Sequence, residues 1–426
     1  MHMIKRMLSK STYTRNVLIL MTGTGVAQAI PIAISPILTR LYSPTDFGVF
    51  ALYMAIVSIL SVVVTGRYEL AVILPKKDSD AINIVVLAIV LSFSVSVFLL
   101  IIVALFNDDI TRLLGVPELS SWLYWVPVST MITGLYQSLN FWINRKSHFK
   151  RLALSRGLQS AGVAATQTGT GFLGLGASGL VIGQITGHAV SSALLAQQVY
   201  TEDRKCLSDV SVVHIAKVAK EHSNFPKYMI LGQLANVASS YLPLFLLSAF
   251  FGSHIVGFYS LAQRILIAPM GLIAGALGDV YRQASARQYE EEGNCRVIFV
   301  STLIKLLFIS LFFVTPFFFF GPYIFSLVFG EAWREAGEIA SIISVMVIFQ
   351  TMSSPLSLTV LLANMQFFDL VWQIVRLLLS FLSLYIGYTY FEGYKMALVF
   401  FSLSFSFLYV VHTYFQYKVA KGELRK

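Results

Sequence analysis

The chain has 426 residues, 56% of them hydrophobic and only 12% charged, with a formal net charge of +10 and a mean hydropathy of +0.73. Water-soluble domains carry roughly 25% charged residues, so a large soluble core is excluded. The positive balance does not point to nucleic acid, because no aromatic and basic cluster stands on a soluble region that could hold a strand.

A helix needs about 20 mostly apolar residues to cross a hydrocarbon core of about 30 Å. On that rule the sequence predicts an all-α polytopic membrane protein of 12 transmembrane helices. After 15 polar residues, the first span runs over 16–42 and contains Pro31 and Pro36. It is too long for a signal-peptide core and lacks a small-residue cleavage site, so it reads as an uncleaved helix. Spans over 47–74, 80–106, 119–144, 149–173 and 177–200 follow. A second set lies at 224–251, 255–281, 297–321, 335–363, 367–391 and 395–417. The second and eighth exceed the membrane's needs and are expected to tilt or to extend into water.

The lysines and arginines alternate with these spans. With a cytoplasmic N-terminus, 23 of the 31 fall in inside segments, from Lys5, Arg6, Lys10 and Arg15 to Arg425 and Lys426. Arg40, Arg112, Arg334 and Lys395 fall outside, and Arg67, Arg264, Lys305 and Arg376 fall within spans. That asymmetry places both termini in the cytoplasm and adds attraction to anionic membrane lipids. Cys206 and Cys295 both lie in cytoplasmic segments. They are expected as reduced thiols, with no disulfide and no metal site.

Six spans precede the basic stretch 201–223 and six follow it, giving an N-lobe (1–200), a cytoplasmic linker (201–223) and a C-lobe (224–426). At an offset of 209 residues, Gly48 aligns with Gly257, Phe50 with Tyr259, Ala51 with Ser260 and Leu52 with Leu261. Because six is even, the halves are parallel repeats, a plan that puts substrate in a central cavity between two lobes. The linker reads either as a solvated strand of chain or as a short interfacial helix. In the helical reading Val212, Ile215 and Val218 face lipid, with Lys217 and Lys220 opposite.

No Walker A loop, dinucleotide-type Gly loop or His/Cys metal spacing is present, and no cofactor is implied. The glycines between Gly169 and Gly176 fit helix packing and a short outside turn. Without an ATPase module, any driving force is an ion gradient, H+ or Na+, or the substrate's own gradient. His188 and His412 lie in spans and read as packing or hydrogen-bonding residues, and Glu290, Glu291 and Glu292 as a solvated turn. Counted along unbroken helices, Glu69 and Asp279 fall about 33–36 Å down, at the cytoplasmic interface.

A charge at mid-bilayer costs at least about 2.5–3.5 kcal/mol, so such residues face water or a partner. Arg264, Lys305 and Arg376 fall near the middle, Arg67 deeper toward the cytoplasm and Arg40 near the outer end of span one. With no midplane carboxylate expected beside them, these five form a candidate cationic cavity for an anionic substrate. Gly257, Ser260, Ala268, Gly271, Gly275 and Gly278 recur around Arg264 at helical intervals. They suit either a smooth cavity wall, with a guanidinium fork for phosphate, or a packing seam through Gly271 and Gly275. Pro31, Pro36 and Pro243 are hinge candidates or static kinks.

The run Asn224-Phe225-Pro226-Lys227-Tyr228, through Leu242-Pro243-Leu244-Phe245 to Val256-Gly257-Phe258-Tyr259-Ser260-Leu261-Ala262-Gln263-Arg264, resembles the bacterial polysaccharide exporters of the Wzx type. These belong to the multidrug/oligosaccharidyl-lipid/polysaccharide exporter (MOP) superfamily. Arg67-Tyr68-Glu69-Leu70-Ala71-Val72-Ile73-Leu74-Pro75 and Gly179-Leu180-Val181-Ile182-Gly183-Gln184 resemble the same family. The resemblance implies a two-lobed inner-membrane flippase. It would carry an undecaprenyl-pyrophosphate-linked glycan to the outer leaflet by alternating access, for O-antigen, capsule or exopolysaccharide assembly, beside a polysaccharide polymerase machinery. It also implies a cationic cavity lined by spans one, two, seven and eight, which hold Arg40, Arg67 and Arg264 but not Lys305 or Arg376. The rival within the fold is an ion-coupled multidrug or metabolite antiporter. A peptidoglycan-precursor flippase would carry two further helices, and a membrane glycosyl enzyme would need a large outside loop.

Overall fold

The computed structural model describes residues 2–363, 365–391 and 393–423, with side chains from residue 22 onward except those of Gln366 and Leu370. The side chains of Lys5, Arg6, Lys10 and Arg15, and all of Arg425 and Lys426, lie outside the described residues. Among the described residues every regular element is helical. The long ones are α1 (His2–Leu41), α2 (Pro44–Leu60), α3 (Asp78–Leu114), α4 (Val126–Arg145), α5 (Phe149–Phe172) and α6 (Ala177–Glu202). They continue as α7 (Ile230–Phe251), α8 (Ser253–Glu292), α9 (Arg296–Phe329), α10 (Arg334–Leu356), α11 (Gln366–Phe391) and α12 (Tyr394–Ala420).

Among the described residues, eight helices are long and apolar enough by themselves to cross a membrane. Helix α5 is too polar for that test because its polar groups turn inward: Gln167 is buried and donates to the Leu180 carbonyl of α6 at 3.0 Å. Two helices outrun their expected spans and bend near the expected membrane exit. Phe106 of α3 (φ −124°) and Phe320 of α9 (φ −121°) both leave helical geometry. Helix α8 continues to Glu292 without a break.

The second span is not one helix. It stops at Leu60, passes through turns, and resumes as a 3-10 segment over Tyr68–Ile73. Gly66 (φ 62°) and Arg67 (φ 61°) are both left-handed, a geometry a continuous right-handed helix cannot hold. At the 209-residue offset Gly66 aligns with Gly275, which stays helical in α8, so the two halves diverge here.

The chain divides into two compact units, Met1–Val237 and Ala238–Lys426, with the division inside α7. In the first, Trp142 and Ile143 of α4, Ile82 and Val85 of α3, and Leu195 of α6 build a core that also takes Val218. Val218 belongs to a linker helix, Val212–Glu221. The expectation that Val212, Ile215 and Val218 share a lipid-facing side is corrected. Val218 is buried and Ile215 packs on the core, while Val212 is 83% exposed. Polar bonds impose that docking: Asn83 donates to the Asp209 carbonyl at 3.2 Å and accepts from the Ser211 N–H at 3.1 Å.

In the second unit α10 packs on α8, α9 and α12. Its crossing with α9 is backbone on backbone, since a Cβ on Gly321 would collide with the Gly337 carbonyl and one on Gly337 with that of Gly321.

Candidate functional site

The break after α2 assembles a buried polar triad. Arg67 lies 3.3 Å from Glu69, whose residue is only 1% exposed. Thr65 donates its hydroxyl to the same carboxylate at 2.5 Å and accepts the Arg67 N–H at 3.3 Å. The next residue, Tyr68, donates to the Ala219 carbonyl of the linker helix at 3.0 Å. Arg145 of α4 donates to the carbonyls of Val72, Ile73 and Pro75 at 3.1, 3.3 and 2.7 Å, holding the far end of the 3-10 segment.

One expectation fails here: Arg67 is not a cation without an acid, because the left-handed turn at Gly66 and Arg67 folds Glu69 back onto its neighbour. The signal was present as Gly66 inside an apolar span, where glycine is expensive unless a turn requires it.

Arg264 sits in α8, half-buried, one residue from Gln263, which donates to the Tyr259 hydroxyl at 2.9 Å. The stripe that continues from it is bare. A Cβ on Gly271 or Gly275 would meet nothing within 4 Å, whereas one on Gly278 would lie 3.3 Å from Pro355. Among the described residues, Gly271 and Gly275 therefore form no packing seam. The stripe is a smooth surface beginning at a guanidinium, closed at its inner end by Pro355 against Gly278.

The other cations differ in setting. Arg376 of α11 donates to Gln373 at 3.0 Å and lies within electrostatic reach of Tyr409 and His412 of α12. Its Nε is buried with no hydrogen-bond partner among the described residues. His412 stacks on Trp372 at 3.7 Å and bonds to Ser353 at 2.9 Å, so it is a packed, hydrogen-bonded residue. Lys305 is exposed on α9 beside Ile304 and Phe308. Arg40 is exposed in the last turn of α1, where the helix dipole favours a cation.

Arg40 and Arg67 are not neighbours. Helix α2 lies between them, and its 17 residues span about 25 Å. The helices run on through Pro31, Pro36 and Pro243. In α1 the Ser35 hydroxyl donates back to the Pro31 carbonyl at 2.6 Å, a bond that tends to bend helices.

A family model described as polysaccharide biosynthesis protein matches residues 37–338. No curated protein matches the chain by sequence. Among solved structures, an inward-facing multidrug resistance MATE family transporter of the MOP superfamily is similar at a TM-score of 0.67 and 16% identity, covering 93% of each chain. A MOP superfamily transporter from Pyrococcus furiosus, described as having a binding pocket of reversed polarity, gives a TM-score of 0.62 at 16% identity, covering 95% of this chain and 94% of that one. A mutant MATE transporter from Vibrio cholerae gives 0.61 at 16% identity, covering 95% of both chains. The twelve-helix membrane fold is borne out by these structures, and the likeness to polysaccharide exporters by the family model.

Proposed function

This chain belongs to the polysaccharide biosynthesis protein family, and we propose that it is a multi-pass transporter of the MOP superfamily, rather than an enzyme, that flips a lipid-linked oligosaccharide across the bacterial inner membrane. The cargo is an undecaprenyl-pyrophosphate-linked glycan, taken from the cytoplasmic leaflet to the outer one by alternating access and delivered to polysaccharide assembly. The observation that carries this reading is the α8 stripe, where Arg264 heads a surface left open at Gly271 and Gly275. A large, hydroxyl-rich, phosphate-bearing group needs both a smooth wall and a guanidinium fork, and a compact organic cation needs neither. Arg67, Arg40, Lys305 and Arg376 are assigned supporting roles in neutralising phosphate, and Pro31, Pro36 and Pro243 the bending that opens a lateral gap for the polyprenyl tail. The basic inside segments support cytoplasmic termini. They also support contact with anionic lipid.

Deleting the gene tests the reading. The expected result is a carrier-linked glycan accumulating on the cytoplasmic leaflet. Retention of a toxic organic cation without such a lipid would replace it with the antiporter.

A further inference from the structure

The first unit contains a polar cavity of about 400 Å³ that the arginines discussed above do not line. Its polar walls are Thr24 and Gln28 of α1, Tyr136 of α4, and Arg156, Gln159 and Ser160 of α5. The geometry of α1 against α5 creates it. The two helices cross tightly at Gly23, where a Cβ would stand 2.5 Å from the Ala153 Cβ. Just beyond that crossing, at Gly25 and Gly157, a Cβ would meet nothing within 4 Å.

Among the described residues the lining has one cation and no carboxylate. Among the described residues Arg156 makes one hydrogen bond, to the Thr24 hydroxyl at 2.6 Å. A guanidinium has five N–H donors, so most remain for a ligand. Tyr136 is held in place, its hydroxyl accepting from Asn140 at 3.2 Å and its ring packing edge-on against His188 at 6.2 Å. Its face supplies an apolar platform beside carboxamides and hydroxyls. The volume falls in the range of small-molecule sites, about 300–1,000 Å³. Arg156 is about 10 Å along α5 from its cytoplasmic end, by helical rise.

We propose that this cavity is a loading subsite, reached from the cytoplasmic side, for the glycosyl diphosphate headgroup of the transported lipid. Arg156 takes phosphate oxygens, and Gln28, Gln159 and Ser160 take hydroxyls of the first sugar stacked on Tyr136. The cavity is too polar for a polyprenyl chain, so the tail stays outside it. This assignment rests on the flippase reading and adds to it a first station for the headgroup.

The test is equilibrium binding to the full chain in nanodiscs, with a radiolabelled farnesyl diphosphate carrying one N-acetylhexosamine as probe. R156Q should weaken binding tenfold or more, about the worth of a hydrogen bond to a charged group, while R156K retains most of it. S160A should weaken the sugar-bearing probe and leave plain farnesyl diphosphate unaffected. A folded R156Q protein that binds like wild type overturns the subsite, and loss of binding in R264Q alone would then keep the flippase reading intact. Wild-type protein that binds no diphosphate probe removes the flippase reading itself. Equal competition by inorganic pyrophosphate marks a free-anion site and overturns the headgroup assignment. Should R156Q fail to fold, the contrast between R156K and S160A decides by the same criteria.

Discussion

The guanidinium of Arg67 and the carboxylate of Glu69 stand 3.3 Å apart across a left-handed turn, with Glu69 removed from solvent. Breaking a buried ion pair by removing one partner costs about 3–5 kcal/mol, because the other charge is stranded. E69Q and R67A should therefore each lower the unfolding temperature in detergent. The R67A/E69Q double variant should be markedly more stable than the sum of the single losses predicts. Strict additivity would show that the pair does not interact.

Arg145 tests the same segment from its other end. R145A removes the donor shared by three carbonyls of the 3-10 segment and its outlet, and the 3.0 Å bond to Asp78. Each buried acceptor left unpaired costs about 1–3 kcal/mol. Hydrogen exchange should rise over residues 65–75 more than elsewhere in the first unit. A uniform rise would show that Arg145 has no special hold on this segment.

The glycines of α8 and α10 should respond in opposite ways. G271L and G275L place side chains in open space, so folding and membrane level should be near wild type while glycan export falls. G337A drives a methyl group into the α9 backbone, and overpacking of that kind costs about 1–3 kcal/mol. It should act through stability, read as a lower unfolding temperature. Normal export in G271L would take the α8 stripe out of the transport path.

Cys206 offers a check on orientation and on burial together. It lies between α6 and the linker helix, and burial holds its thiol above the ordinary cysteine range. The thiolate is the reactive form, so maleimide labelling should be slow at neutral pH. It should reach half of its plateau rate only above pH ~8.5, the midpoint of a free cysteine. The label should enter from the cytoplasmic side only, in inside-out but not right-side-out vesicles. Labelling from the outside would reverse the topology.

Arg156 shows why one residue was legible as charge and illegible as site. Its position next to Arg151 and Lys150 makes it look like one more inside cation. What sets it apart is a cavity left by the divergence of α1 from α5 after Gly23, and no local pattern encodes the path of a helix more than a hundred residues away. A clue did exist in α5, where Gln159, Ser160, Thr166 and Gln167 are too polar for a lipid-facing span.

The amino-acid order by itself determined the membrane class, the helical segments, the alternation of basic and neutral segments between them, and the family likeness. Lipid is a solvent that forces each span to satisfy its own backbone and to be apolar over a set length, so those properties are local and countable. Only the tertiary structure decided that the second span breaks, that Arg67 meets Glu69, that the linker helix docks through Val218, and that Gly271 and Gly275 face open space. Each of these depends on which helix packs on which. In a chain that is apolar nearly everywhere, hydropathy alone does not separate a lipid-facing side from a buried one. The close contacts of glycine, hydroxyl and guanidinium groups make that distinction.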